Sequence, residues 1–145
     1  MGISVTSDDL DWEEAAAREV ALAAAELGAT ARQVIPAFPW VIVGEVSGRA
    51  YYLAERSEVY EVVVAPDATP SESPWSAAAG HGISVVAGVS DDLLEGGGPS
   101  PARAVRVAVG AVRTWLRRRA CAHDQDDGDR YCRQCGLALV DPALP

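Results

Sequence analysis

Three β-rich runs follow one another closely in the first half of the chain, and each connection between them is only two residues long. The runs span residues 37–46, 49–56 and 59–65, and Ser47-Gly48 and Ser57-Glu58 connect them. Connections this short are typical of hairpins, so the pattern predicts an antiparallel meander. A long loop over 67–82 leads to a further apolar run at 83–89. We therefore expect an antiparallel sheet of three to four strands.

A helix is predicted before the strands, over residues 7–27. Apolar residues recur there at three- and four-residue steps, which places them on one helix face. Acidic residues near Ser7 suit the positive end of the helix dipole, and Gly28 supplies a stop. The predicted buried face consists of Trp12, Ala16, Val20, Ala23 and Leu27.

A second helix is predicted after the flexible connector Gly96-Gly97-Gly98-Pro99. Ser100 and Pro101 form an N-cap and first-turn pair for this helix. Its predicted buried stripe consists of Ala102, Val105, Val109, Val112 and Leu116. Both helices can then cover one face of the sheet, which gives an α+β fold.

The chain is the size of one ordinary domain with a small appendage, at 145 residues and 15.2 kDa. We expect an α+β domain over 1–120 and a zinc knuckle with a tail over 121–145. No apolar run approaches the ~18 residues of a membrane span, and the N-terminal region is acidic where a signal segment is basic and then apolar. This pattern predicts a cytoplasmic protein with no membrane association.

All three cysteines and one of the two histidines fall within fifteen residues near the C-terminus. They are Cys121, His123, Cys132 and Cys135. Three thiolates and an imidazole are a donor set that tetrahedral zinc prefers, and four protein ligands leave no position for an activated water. The sequence therefore predicts one structural Zn²⁺. If His123 were not a ligand, three thiolates and an open position would make a catalytic site.

The segment 121–136 resembles zinc knuckles and half zinc ribbons, which implies that the metal stabilises the local fold. A disulfide is a poor alternative, because three is an odd number of cysteines and a secretory segment is not apparent. His81, between two glycines in the long loop, has no recognisable catalytic partner. Catalytic motifs such as GxSxG or HExxH do not occur, so an enzymatic function lacks support and we name no catalytic residue.

Charge is divided unevenly along the chain, whose net charge is −9. Residues 1–102 carry four Arg against sixteen Asp and Glu, whereas 103–135 carry eight Arg against four Asp. The basic part predicts an alternative function, binding of nucleic acid through phosphate contacts, with Tyr131 adding one aromatic ring. The candidate contact residues are Arg113, Arg117, Arg118, Arg119, Arg130 and Arg133.

The order of the predicted elements is similar to that of double-stranded-RNA-binding domains. Those domains begin their second helix with paired lysines, where this chain has Pro101 and Ala102, so the resemblance is one of element order.

All twelve cations are Arg, which with many Ala, Gly and Val indicates a GC-rich genome such as that of an actinobacterium or its phages. We therefore expect a small non-catalytic binding or adaptor protein with a protein partner. A nucleic-acid-binding module and a phage or assembly structural protein are the alternatives.

Overall fold

The computed structural model describes residues 7–35, 40–65, 82–121 and 131–134. Helix α1 (Ser7–Glu26) precedes five strands, and helix α2 (Pro101–Ala120) follows them. The strands are β1 (Thr30–Ile35), β2 (Trp40–Val46), β3 (Arg49–Arg56), β4 (Val59–Val64) and β5 (Ile83–Val89). They form one antiparallel sheet in the order β1-β2-β3-β4-β5. The predicted α+β class is confirmed, but the sheet has five strands where three to four were expected.

The additional strand is β1, in which every residue except Val34 pairs with β2. In its sequence, Thr-Ala-Arg-Gln-Val-Ile, the strand-forming residues Thr30, Val34 and Ile35 are separated by Ala-Arg-Gln, so no continuous strand-forming run indicates the strand. Polar contacts join it to β2: Trp40 Nε1 donates to Gln33 Oε1 at 2.8 Å, and the Glu45 amide donates to Thr30 Oγ1 at 3.0 Å. Pairing with β2 therefore determines its conformation.

The core lies on the sheet face that carries Ile42, Leu53 and Val62. The register places these three residues opposite one another on neighbouring strands, and none has exposed surface. Tyr51, on the same face, is also fully buried, and its hydroxyl donates to the Thr30 carbonyl at 2.9 Å. Burial raises the pKa of Tyr51, because the ionised phenolate is disfavoured away from water.

Gly44 makes this arrangement of strands sterically acceptable. A Cβ at position 44 would lie 2.0 Å from the Thr30 carbonyl oxygen and 2.8 Å from the Tyr51 hydroxyl. Only a residue without a side chain lets β1 and the Tyr51 ring approach β2 this closely. The small residue in the middle of an apolar strand is thus explained by packing.

Both helices bury mainly small apolar residues. On α1, Ala16, Val20, Ala23 and Ala24 are buried, but Trp12 is 59 % exposed, so its predicted place in the core is wrong. Trp12 lies one turn before Ala16, where the buried part of the helix begins. On α2 the buried residues are Ala104, Val105, Ala108, Val109 and Val112, while Ala102 and Leu116 are half-buried.

The two helices are neighbours at the N-terminal end of α2. The Ala102 amide donates to Glu19 Oε1 at 3.4 Å, and residues of both helices line a shallow groove. The expectation that both helices cover one sheet face stays a prediction. Ser100 caps α2 as predicted, because its Oγ accepts the Arg103 amide at 3.1 Å.

The glycine-rich segment before α2 is more ordered than a flexible connector. Gly96 and Gly97, with φ of 68° and 89°, form the turn of a hairpin between β6 (Leu94–Glu95) and β7 (Gly98–Pro99). Positive φ at both central residues is typical of a type I′ turn, which glycine adopts without strain. A short 3-10 helix (Ser90–Leu93) joins β5 to this hairpin.

Each outer strand of the sheet contains one irregularity in its pairing. Val34 in β1 and Val85 in β5 are extra residues, since their neighbours pair in order with β2 and β4 and they do not. An extra residue in one strand of an antiparallel pair is a β-bulge, which bends the strand and increases its twist. Both bulges therefore lie at the edges of the sheet.

The chain divides into two compact units, 1–112 and 113–145, and the division falls within α2. The boundary predicted at residue 120 stays a prediction. Within the described ranges, neither helix combines the length and apolarity needed to cross a membrane.

Candidate metal centre

Two of the four predicted zinc ligands lie in the described part of the chain. Cys121 follows the last residue of α2 directly and is half-buried, and Cys132 is 2 % exposed. His123 and Cys135 lie outside the described residues, as do Arg130 and His81. The structure therefore places two of the four predicted ligands, Cys121 after the C-terminal end of α2 and Cys132 in the segment 131–134.

The two sulfur atoms lie together, with Cys121 Sγ and Cys132 Sγ 3.4 Å apart. A disulfide bond would place them at about 2.05 Å, so the two thiols are not covalently joined. Two thiolates on one tetrahedral zinc, each about 2.3 Å from the ion, lie about 3.8 Å apart. The observed separation is that of two thiols in hydrogen-bond contact, in which either sulfur can donate, and it is slightly shorter than the separation of two ligands of one zinc. A displacement of about 0.4 Å gives the tetrahedral value.

The chain after Cys132 turns towards Cys121. Arg133 and Gln134, the two residues between the predicted ligands Cys132 and Cys135, form a turn. Cys121 Sγ donates to Gln134 Oε1 at 3.4 Å, so this turn lies beside the first cysteine. A turn at this position is what a CxxC pair needs to present two sulfurs to one ion.

The complete ligand set stays a prediction. Within the described residues, groups of three or more His, Cys, Asp and Glu that could hold a metal do not occur. Both histidines of the chain and the third cysteine are outside that part. The described residues thus supply half of the predicted set, at a separation that a metal could bridge.

The same unit carries the predicted basic surface. Arg117, Arg118 and Arg119 occupy the last turn of α2 and are exposed, as is Arg133, whereas Arg113 is half-buried. Cations at this end of a helix interact favourably with the dipole, which helps to explain their position. Tyr131 is also exposed, at 62 %.

Two of these arginines contact uncharged side chains of their own helix. The Arg119 guanidinium lies 5.1 Å from the centre of the Trp115 ring, a cation–π geometry between residues four apart. Arg117 Nη2 donates to Thr114 Oγ1 at 3.4 Å. Residues three and four apart are neighbours on a helix, so this spacing is the sequence signal for both contacts.

A second group of polar residues lies in the first unit, around the 3-10 helix. Tyr60 donates to Asp92 Oδ2 at 3.4 Å, and Ser90 Oγ donates to Glu55 Oε1 at 2.9 Å. Burial and the negative charge of Asp92 raise the pKa of Tyr60, which Arg103 partly opposes. Burial and Glu61 likewise raise the pKa of Tyr52. Buried side-chain nitrogen and oxygen atoms in the described ranges all have hydrogen-bond partners, so this group is a satisfied structural network.

Comparison of the chain with protein-family models, with curated proteins and with solved structures finds no match.

Proposed function

We propose that this protein is a small non-catalytic binding or adaptor protein whose C-terminal segment is held in place by one structural Zn²⁺. The proposed ligands are Cys121, His123, Cys132 and Cys135. The supporting observation is the 3.4 Å separation of Cys121 Sγ and Cys132 Sγ, which are eleven residues apart in the chain. A metal bound by both would fix the segment after α2 against the helix end.

The ligand set favours a structural role for the ion. Four protein ligands complete the tetrahedron of zinc, so a water molecule cannot bind to the ion and be activated. Burial of Cys132 protects its thiolate from solvent, as expected for a ligand that stabilises the fold.

The test measures the metal content of the full chain, purified without chelators, by native mass spectrometry and elemental analysis. We expect one zinc per chain, bound through three sulfurs at about 2.3 Å in X-ray absorption spectra. The variant H123A should lose zinc in competition with a chelator. The matched variant H81A changes the other histidine of the chain and should retain zinc as the wild type does.

Three results would contradict the proposal. Wild-type protein could contain no metal, H123A could hold zinc as tightly as H81A, or the absorption spectrum could show fewer than three sulfur ligands. The variant C132S removes another proposed ligand and should also lose zinc. In the wild type, a difference in helix content between zinc-loaded and zinc-free protein provides a readout that needs no mutant. Turnover of a small substrate that requires Cys132 or Cys135 would instead support the catalytic alternative.

A second candidate function is that of an assembly protein, in which α1 contacts a neighbouring subunit. Such a contact would use Trp12 and Leu22, large apolar side chains of α1 that are 59 % and 64 % exposed. Light scattering at increasing protein concentration tests it, with the variant W12A/L22A as comparison. A wild-type protein that stays monomeric at high concentration argues against this candidate.

A further inference from the structure

The last turn of α2 carries three positive charges that the described residues do not neutralise. Ion pairs between described residues join Arg18 to Glu14 and Arg106 to Glu95. Arg117, Arg118 and Arg119 take part in none of them, and all three are exposed. The partial negative charge at a helix C-terminus is about half an elementary charge, so it balances only a fraction of this cluster.

Contacts with uncharged groups orient two of these cations. Trp115 lies under the Arg119 guanidinium, and Thr114 accepts a hydrogen bond from Arg117. Neither neighbour carries a charge, so neither contact neutralises its guanidinium group. Orientation before binding lowers the side-chain entropy lost when an anion binds.

An exposed aromatic side chain lies next to the proposed metal ligands in the same unit. Tyr131 precedes Cys132, and Arg119 lies two residues before Cys121. Because the sulfurs of Cys121 and Cys132 are in contact, the segment carrying the aromatic ring and the segment carrying the cations converge at this point. A 62 % exposed tyrosine ring has an open face on which a base can stack.

Exposed guanidinium groups at one helix end and an exposed aromatic ring are the chemistry that recognises a phosphodiester chain with unpaired bases. We infer that this surface, Arg117, Arg118, Arg119 and Tyr131, binds single-stranded nucleic acid. The inference rests on the proposed zinc site, because the ion would hold Tyr131 beside the helix end. The acidic remainder of the chain repels the same ligand, so binding is weak and strongly dependent on salt.

The number of cations sets the expected salt dependence. Three phosphate contacts on a single strand give a slope of log affinity against log salt of about −2, since each contributes about −0.7. Raising the salt from 50 to 200 mM therefore weakens binding about twentyfold.

The experiment measures fluorescence anisotropy of labelled oligo(dT) and oligo(U), each about 16 nucleotides long, with the zinc-loaded full chain. A duplex of the same length is the comparison. The variant R117A/R118A/R119A should lose nearly all of the salt slope. The control R18A/R32A/R56A changes the net charge equally, at three other exposed arginines, and should bind with the wild-type slope.

The aromatic contribution is tested separately. Removal of the ring in Y131A should weaken binding about fivefold or more without changing the slope, because stacking does not depend on salt. The conservative variant Y131F keeps a stacking surface and should bind like the wild type. The oligo(dT) and oligo(U) arms distinguish DNA from RNA as the source of the ligand.

Metal analysis of every sample separates the two proposals. Zinc-containing wild-type protein that does not bind at concentrations of about 100 µM overturns the nucleic-acid inference and leaves the zinc site intact. Equal binding by the two triple-arginine variants, or tighter binding of the duplex, overturns it as well. A metal-free wild-type protein overturns the zinc proposal and the inference that depends on it.

Discussion

The close approach of β1 to Gly44 predicts a large loss of stability from the smallest substitution at that position. In G44A the new Cβ would lie 2.0 Å from the Thr30 carbonyl oxygen, whereas Cβ contacts under 3.0 Å are essentially never observed. Strand β1 must therefore move by about 1 Å. A second neighbour, the Tyr51 hydroxyl at 2.8 Å, lies in the same space.

The magnitude follows from the hydrogen bonds that such a shift disrupts. They include the bond from Tyr51 to the Thr30 carbonyl, the bond from the Glu45 amide to Thr30 Oγ1, and the adjacent ladder bonds. At about 0.5–1.5 kcal/mol for each bond, loss of about three costs about 1.5–4.5 kcal/mol. This is a large fraction of the about 5–15 kcal/mol that stabilises an ordinary domain.

The matched control is the same substitution in an open position. Gly110 lies on an exposed part of α2, and a Cβ added there meets no atom within 4 Å. Because glycine is unfavourable in a helix interior, G110A should stabilise the protein by about 0.5–1 kcal/mol. The same change, glycine to alanine, should thus lower the free energy of unfolding at position 44 and raise it at position 110.

Urea unfolding of both variants, followed by far-ultraviolet circular dichroism, measures the two free energies. Unfolding of G44A at the wild-type urea concentration would contradict a steric role for Gly44. A G110A variant less stable than the wild type would contradict the open surroundings of position 110. The double variant G44A/Y51F should remain unstable, since removing the Tyr51 hydroxyl leaves the Thr30 carbonyl in place.

Three further predictions concern stability. Burial raises the pKa of Tyr51 above the usual 10.0, so above about pH 10 the unfolded chain releases this proton first and stability falls as pH rises. Denaturant titrations at about pH 9 and pH 11 test this. At the lower pH, Y51F should be less stable than the wild type by about 1 kcal/mol, through loss of the hydrogen bond. Between the two pH values, the unfolding free energy of Y51F should fall by less than that of the wild type. Glu58 has a φ of 69° in the turn after β3, a conformation that glycine adopts without strain. The variant E58G should therefore raise the unfolding free energy by about 0.5–1 kcal/mol. An unchanged or lower melting temperature of E58G argues against strain at this position. S100A should cost about 1 kcal/mol through loss of the bond to the Arg103 amide, whereas S100T keeps the cap, so equal melting temperatures for the two variants contradict a capping role.

Much of the fold could be predicted because local sequence signals agree with it. The runs at 49–56 and 83–89 coincide with β3 and β5, and the two-residue connections form turns between antiparallel strands. The sequence does not predict strand β1, because the conformation of this strand depends on pairing with β2, which the polar contacts of Thr30 and Gln33 support. The sequence predicts a flexible connector at Gly96-Gly97, where the structure has a hairpin turn. Glycine is common both in tight turns and in flexible linkers, so composition alone does not distinguish the two.

For the candidate metal site, the structure bears on the positions of only two of the four predicted ligands. Spacing alone placed Cys121 and Cys132 in one ligand set, and the structure brings their sulfur atoms together. The exposure of Trp12 could not be predicted, because helical periodicity identifies a face but not where along the helix the neighbouring core begins. The positions of the other two proposed ligands remain predictions.

The bulges in β1 and β5 have a consequence for how this protein behaves at high concentration. An outer strand that runs straight offers a regular row of amide and carbonyl groups to any extended chain that it meets, and long assemblies of stacked molecules grow from such rows. The extra valines at positions 34 and 85 interrupt that row on both sides of the sheet. A chain this rich in valine thereby gains protection against fibril growth, although β5 carries no charged side chain.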